Sequence, residues 1–205
     1  SWVTLCDTNG ASLPHDVAEA TAAVVQAIAT PVGIHCHNDA ECGVANSLAA
    51  VRAGASMVQG TMNGYGERCG NADLTTLIPT LLLKEPYASR FITGITRDAL
   101  KTLTKTSRML DDILNRVPLR SAPYVGASAY AHKAGLHASA ILKDPTTYEH
   151  VPPEATGNDR VIPMSNQAGQ SNLRARLLAA GIEVAPGDPR LARILDVIKA
   201  REDQG

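Results

Sequence analysis

Short apolar runs and longer amphipathic stretches alternate along the first third of the chain. Val3-Thr4-Leu5 is apolar enough for a buried strand, the polar turn Asp7-Thr8-Asn9-Gly10 follows, and an Ala/Val-rich period runs from Pro14 to Ala29, so the pattern predicts a strand and then a helix. The pair recurs, with residues 32–37 predicting a strand, 38–43 a polar loop and 44–53 a helix closed by Gly54. Residues 56–60 predict a third strand, 61–71 a loop and 72–84 a helix. Three strand–helix units in about 85 residues imply a parallel sheet with helices outside it. In such sheets, open or closed into a barrel, chemistry sits in the loops after the strands. Every unusual polar residue of this region falls in those loops.

Beyond residue 90 the rhythm changes. A long helical pattern covers 98–115, a Pro/Gly-punctuated region containing AHKAGLHASA (131–140) starts another helix, and 121–172 reads as a smaller, looser module. Helical patterns over 169–180 and 189–201 close the chain. The sequence opens inside a strand pattern at Ser1 and stops just after a helical one at 203–205, so both ends read as cut.

Composition narrows the classes of function. A chain of 205 residues with 44% hydrophobic content supports one sizeable core, or one core with an appendage. Nineteen basic and twenty acidic residues give a net charge of -1, which favours neither nucleic acid nor an anionic membrane and points to a small polar partner. No apolar run reaches the roughly 18 to 20 residues of a spanning helix and no leader pattern is visible, so a cytoplasmic protein is expected. Cys6, Cys36, Cys42 and Cys69 form no CxxC pair and read as reduced thiols.

The stretch HCHNDAECG (35–43) carries the most specific chemistry. Alternate strand residues share a side, so His35 and His37 project together while Cys36 faces away. Two imidazoles at a strand end make a pair of nitrogen ligands for a divalent cation; alternatively, both are hydrogen-bonded into a polar strand end. The loop GERCGN (66–71) brings a carboxylate, a guanidinium and an amide to the next strand end. Asn71 offers a neutral oxygen ligand beside the histidines. Glu67 and Arg68 either contact substrate or form a structural ion pair, and a thiolate site built from Cys36, Cys42 and Cys69 is a further alternative.

DTNG (7–10), HCHND (35–39), NGYGERCGNA (63–72) and HKAGLHASA (132–140) resemble the α-isopropylmalate, homocitrate and citramalate synthases, a family related to the lyase that cleaves hydroxymethylglutaryl-CoA. ERCGNA, together with SAYAHKAGLHASAILKDPTTYEHVPPEATGN, is most similar to the citramalate synthase branch. The resemblance implies an α/β fold: the C-terminal half of a TIM (β/α)8 barrel (residues 1–118, the region of strands 5 to 8) followed by a small α-rich linker subdomain (119–205). The family's RDG-type motif at its first strand, which supplies an arginine and a metal-binding aspartate, is absent from this sequence. Taken alone, these residues are therefore expected to be inactive.

The implied reaction is acyl transfer, condensing acetyl-CoA with an α-keto acid, here pyruvate to citramalate in isoleucine biosynthesis. The alternatives are 2-isopropylmalate synthesis for leucine, a metal-dependent lyase or aldolase, and a catalytically incomplete half-barrel. In the family a Mg, Mn or Zn ion chelates the keto acid, a base removes a proton from the acetyl methyl group, and water hydrolyses the thioester. His35, His37 and Asn71 match the metal ligands. Thr8 matches a threonine that binds the substrate carboxylate, though a turn or cap hydroxyl is its other reading. Arg68 is expected to bind substrate and Glu67 to take part in catalysis. In the subdomain, His132 or His137, with His132 preferred, should match a histidine that reaches a neighbouring subunit's active site in a homodimer. Tyr148 matches a tyrosine that assists the acid–base step.

Overall fold

The computed structural model describes residues 1–133, 135–162 and 169–202; the expected stop at 203–205 lies outside them. The chain divides into two compact units, Ser1–Thr96 with Lys105–Val117, and Arg97–Thr104 with the residues from Pro118 onward.

The first unit is built on three parallel strands, β1 (Val3–Asp7), β2 (Val32–Cys36) and β3 (Met57–Gln59), in that spatial order. Leu5 pairs with Ile34 and Ile34 with Val58, and one step on Cys6 pairs with His35 and His35 with Gln59. Leu5, Ile34 and Val58 share the face packed by helices α1 (Pro14–Ala27), α2 (Gly43–Arg52) and α3 (Leu74–Leu83). Val17, Ile34, Cys36, Ala50, Ala55, Ala72 and Leu77 form the buried core on that side. A parallel sheet leaves its helix starts beside the functional loops, and local chemistry fixes each start. Pro14 takes the first turn of α1, where its missing N–H costs nothing, and the Asp16 carboxylate accepts from Leu13 N at 3.0 Å. Asp73 caps α3 by accepting from Thr75 N at 2.8 Å.

Two sequence expectations are adjusted. The strand expected over 32–37 ends at Cys36, and His37 continues as an isolated antiparallel bridge to Asn71. The helix expected over 98–115 is broken into α5 (Arg97–Leu100) and α6 (Leu103–Ile113). Residues 91–96 run without strand pairing, and a one-turn helix α4 (Tyr87–Arg90) precedes them.

In the second unit α7 (Gly135–Lys143), α8 (Gln170–Ala179) and α9 (Pro189–Glu202) are joined by loops and 3-10 turns. Leu173, Leu191 and Leu195 form one buried cluster between α8 and α9. Ile162 and Ala175 form a second, and buried polar groups fasten the irregular segments. Asn158 Nδ2 donates to the carbonyls of Tyr124 (2.8 Å) and Gly126 (3.0 Å), and Thr104 Oγ1 donates to Thr156 O at 2.8 Å. Such bonds replace the ladder hydrogen bonds that irregular backbone lacks.

Candidate active site

β2 delivers His35 to the face opposite the core, and His37, one residue past the strand's end, lies beside it. Their ring centroids are 5.2 Å apart in an edge-on arrangement, while Cys36 between them is fully buried among core residues. The pleat thus separates the two chemistries: burial pushes the Cys36 thiol up to about 11, keeping it protonated at neutral pH. Burial, with His37 beside it, lowers the pKa of His35 and favours the neutral imidazole that a cation needs. Nδ1 of each ring is buried and has no protein partner among the described residues.

Asn71 is brought to this pair by its loop. Its N–H donates to Gly64 O (3.0 Å), and its side-chain Nδ2 lies 3.2 Å from His35 Nε2. A Cβ at Gly66 would stand 1.9 Å from Asn71 Oδ1, so a larger residue there would displace the amide. Two imidazoles and one amide therefore converge at one strand end, as expected from their spacing. That donor set suits a divalent cation that accepts nitrogen and oxygen. Among the described residues, however, no three His, Cys, Asp or Glu side chains gather as a metal group, and a thiolate site of Cys36, Cys42 and Cys69 is not assembled.

Arg68 and Thr8 meet over the same loops. Arg68, at a left-handed φ of 55°, turns back so that Nε and Nη2 donate to the two Asp39 oxygens at 2.8 and 2.9 Å, and Nη2 also donates to Thr8 O at 2.8 Å. The direct ion-pair partner of Arg68 is thus Asp39, gripped by two prongs, and not the Glu67 considered from the sequence. Those hydrogen bonds hold the Asp39 carboxyl below its usual range and raise the Arg68 guanidinium. Glu67 is exposed; its backbone carbonyl accepts from Gly70 N at 2.8 Å, and its charge also acts on Arg68. Asp39, inside the HCHND motif, was the residue whose partner the sequence did not reveal.

The second unit separates its two histidines by environment. His132 is buried, with Nε2 3.2 Å from Glu149 Oε1, and the Glu149 carboxylate also accepts two 2.6 Å bonds from Arg160. His137 instead stacks on Tyr148, with ring centroids 4.1 Å apart, and Tyr148 is 41% exposed. Glu149 and Arg160 had no sequence signal beyond their neighbourhood, because they are eleven residues apart and meet only through the turn between them.

Residues 1–110 match the HMGL-like family model, and residues 124–205 match the model of a homocitrate synthase post-HMGL domain-like module. The chain belongs to the HMGL-like family. The fold expectation therefore holds: a portion of a β/α barrel is followed by an α-rich module. Across its full length the chain is 49% identical to an (R)-citramalate synthase of Aquifex aeolicus and 47% identical to one of Synechocystis sp.. It is 38% identical, over 99% of its length, to a probable 2-isopropylmalate synthase of Methanopyrus kandleri. The chain spans 38% of the length of each of the two citramalate synthases and 39% of the third relative. No helix among the described residues is long and apolar enough to cross a membrane.

Proposed function

We propose that this chain is the metal-binding and linker portion of a citramalate synthase, an acyltransferase that condenses acetyl-CoA with pyruvate. The observation that carries the reading is the convergence of His35, His37 and Asn71 at one strand end. The identity to (R)-citramalate synthases, higher than to the probable 2-isopropylmalate synthase, favours pyruvate as acceptor.

His35, His37 and the Asn71 amide oxygen, turned by rotation of its terminal torsion, would hold a Mg, Mn or Zn ion. Such an ion polarises the keto carbonyl of the acceptor. Residues of this chain supply part of the remaining machinery, beside the first-strand arginine and aspartate that this sequence lacks. Arg68, fixed by Asp39 yet 41% exposed, offers its remaining N–H groups to a carboxylate, and Thr8 lies beside it. His137 and Tyr148 move protons: one accepts a proton from the acetyl methyl group, the carbanion so formed bonds to the keto carbon as the C=O π bond breaks, and the other gives a proton to the keto oxygen. Water then hydrolyses the thioester, releasing coenzyme A and leaving a new carboxylate. His132 is engaged by Glu149 and shapes the module instead. A homodimer in the cytoplasm, with the linker module serving a neighbouring subunit, completes the proposal.

The test is release of free coenzyme A with pyruvate, 2-oxoisovalerate or 2-oxoglutarate, run on the 205-residue chain and on the longest open reading frame that encodes it. Turnover with pyruvate in the longer protein supports the reading. Equal rates with 2-oxoisovalerate would remove the citramalate assignment, and no turnover with any acceptor would remove the synthase.

A further inference from the structure

The loop that carries Asn71 is anchored at two ends, and one anchor lies outside the matched family segment. At the sheet end, Thr61 N donates to Ala72 O (3.1 Å), Asn38 N to Gly70 O (2.9 Å) and Asn71 N to Gly64 O (3.0 Å). The loop's other end is fastened by a single buried carboxylate. Asp111, 2% exposed on α6, accepts from Asn63 Nδ2 and from Tyr65 Oη at the same oxygen, each at 2.7 Å. Asn63 donates a second bond to Ser107 O (3.0 Å), one turn earlier on α6, and the Arg116 guanidinium covers the Tyr65 ring at 4.6 Å. Asp111 is the first residue beyond the 1–110 match.

We infer that Asp111 is a positioning residue: through Asn63 and Tyr65 it sets the turn at Gly64 and thereby aims the Asn71 amide at His35. The chain of bonds is short. Asn63 sits at a left-handed φ of 59°, which asparagine adopts more readily than other side chains, and its bonds to Ser107 O and Asp111 tie that turn to α6. The next residue, Gly64, supplies the carbonyl that holds Asn71 N, and the Asn71 amide is 3.2 Å from His35 Nε2. Releasing Asn63 therefore shifts the acceptor that orients Asn71. A carboxylate suits the post because it receives both donors at one atom without presenting an N–H to either. The inference rests on the reading of His35, His37 and Asn71 as cation ligands.

The experiment titrates Mn2+ into the 205-residue chain, following free Mn2+ by electron paramagnetic resonance, with urea unfolding of each variant recorded alongside. Asp111→Ala and Tyr65→Phe should weaken Mn2+ binding, the first about tenfold or more. Asp111→Asn, which keeps an acceptor oxygen in place, should restore affinity to within about threefold of the wild type, a rescue that loss of general stability does not produce. Where Asp111→Ala fails to fold, Tyr65→Phe, which removes one hydroxyl, carries the comparison. Wild-type affinity in folded Asp111→Ala, or in Tyr65→Phe when that variant stands in, overturns the inference and leaves the ligand assignment standing. Equal losses in Asp111→Asn and Asp111→Ala overturn it as well. Mn2+ binding that survives combined His35→Ala and His37→Ala overturns the ligand reading instead, whereas its absence from the wild type follows from the family's first-strand aspartate, which this sequence lacks. Amide exchange at Gly70 and Asn71 then decides the inference: acceleration of about tenfold in Asp111→Ala supports it, and unchanged exchange refutes it.

Discussion

Removing the Glu149 carboxylate tests how the linker module is held together. Its side chain is 2% exposed, accepts two 2.6 Å bonds from Arg160 and stands 3.2 Å from His132. Glu149→Ala leaves a guanidinium and an imidazole without their acceptor. Bonds to charged groups are worth about 1.5–3 kcal/mol each, and breaking a buried pair from one side costs about 3–5 kcal/mol. Arg160 is 31% exposed and regains part of its hydration, so the low end applies, about 3 kcal/mol. Urea titration followed by near-UV circular dichroism, to which the buried Tyr124 and Tyr130 of this unit contribute, measures the loss. In a double-mutant cycle Glu149→Ala and Arg160→Ala should couple by at least about 1 kcal/mol. Burial alone would raise the Glu149 pKa, but the Arg160 hydrogen bonds and charge outweigh it and leave the carboxyl below its ordinary range. A depressed folded-state pKa gives stability that is present above the unfolded value of about 4.3 and disappears as pH falls through the lower folded value. Wild-type protein should therefore lose this increment on acidification below about pH 4, and Glu149→Ala should not. A cost under about 1 kcal/mol with no coupling would refute the account of the module.

Three further outcomes follow from the barrel unit. Gly66→Ala places a Cβ 1.9 Å from Asn71 Oδ1, so Mn2+ affinity should fall more than tenfold with the far-UV spectrum retained; unchanged affinity would mean that Asn71 is not a ligand. Leu77→Ala, at a side chain 1% exposed in the core beneath the sheet, should cost about 2–5 kcal/mol in thermal or urea unfolding, and a cost below about 1 kcal/mol would contradict that packing. In native buffer at pH 8, a thiol reagent should modify the exposed Cys6 and Cys69 quickly and Cys36, whose thiol is buried and pushed up to about 11, only after unfolding. Equal labelling rates for Cys36 and Cys69, resolved by peptide mass, would reject the inward orientation of Cys36.

The sequence by itself determined the local elements and the residues that share a side. Period-2 alternation put His35 and His37 on one face and Cys36 on the other, because successive strand side chains point to opposite sides whatever the tertiary context. Pro14 and Gly54 marked helix ends because caps and turn conformations depend on a few adjacent residues. Tertiary structure alone decided the long-range pairs. Arg68 chose Asp39, 29 residues away, over its neighbour Glu67, and Asp111 reached Asn63 across 48 residues. Only the fold gave His132 a buried carboxylate and His137 an exposed tyrosine, although the two histidines flank the same four residues. Spacing along a chain constrains which atoms can be neighbours within a turn or two. Beyond that distance the choice of partner belongs to packing, which sets where each charge can be both desolvated and satisfied.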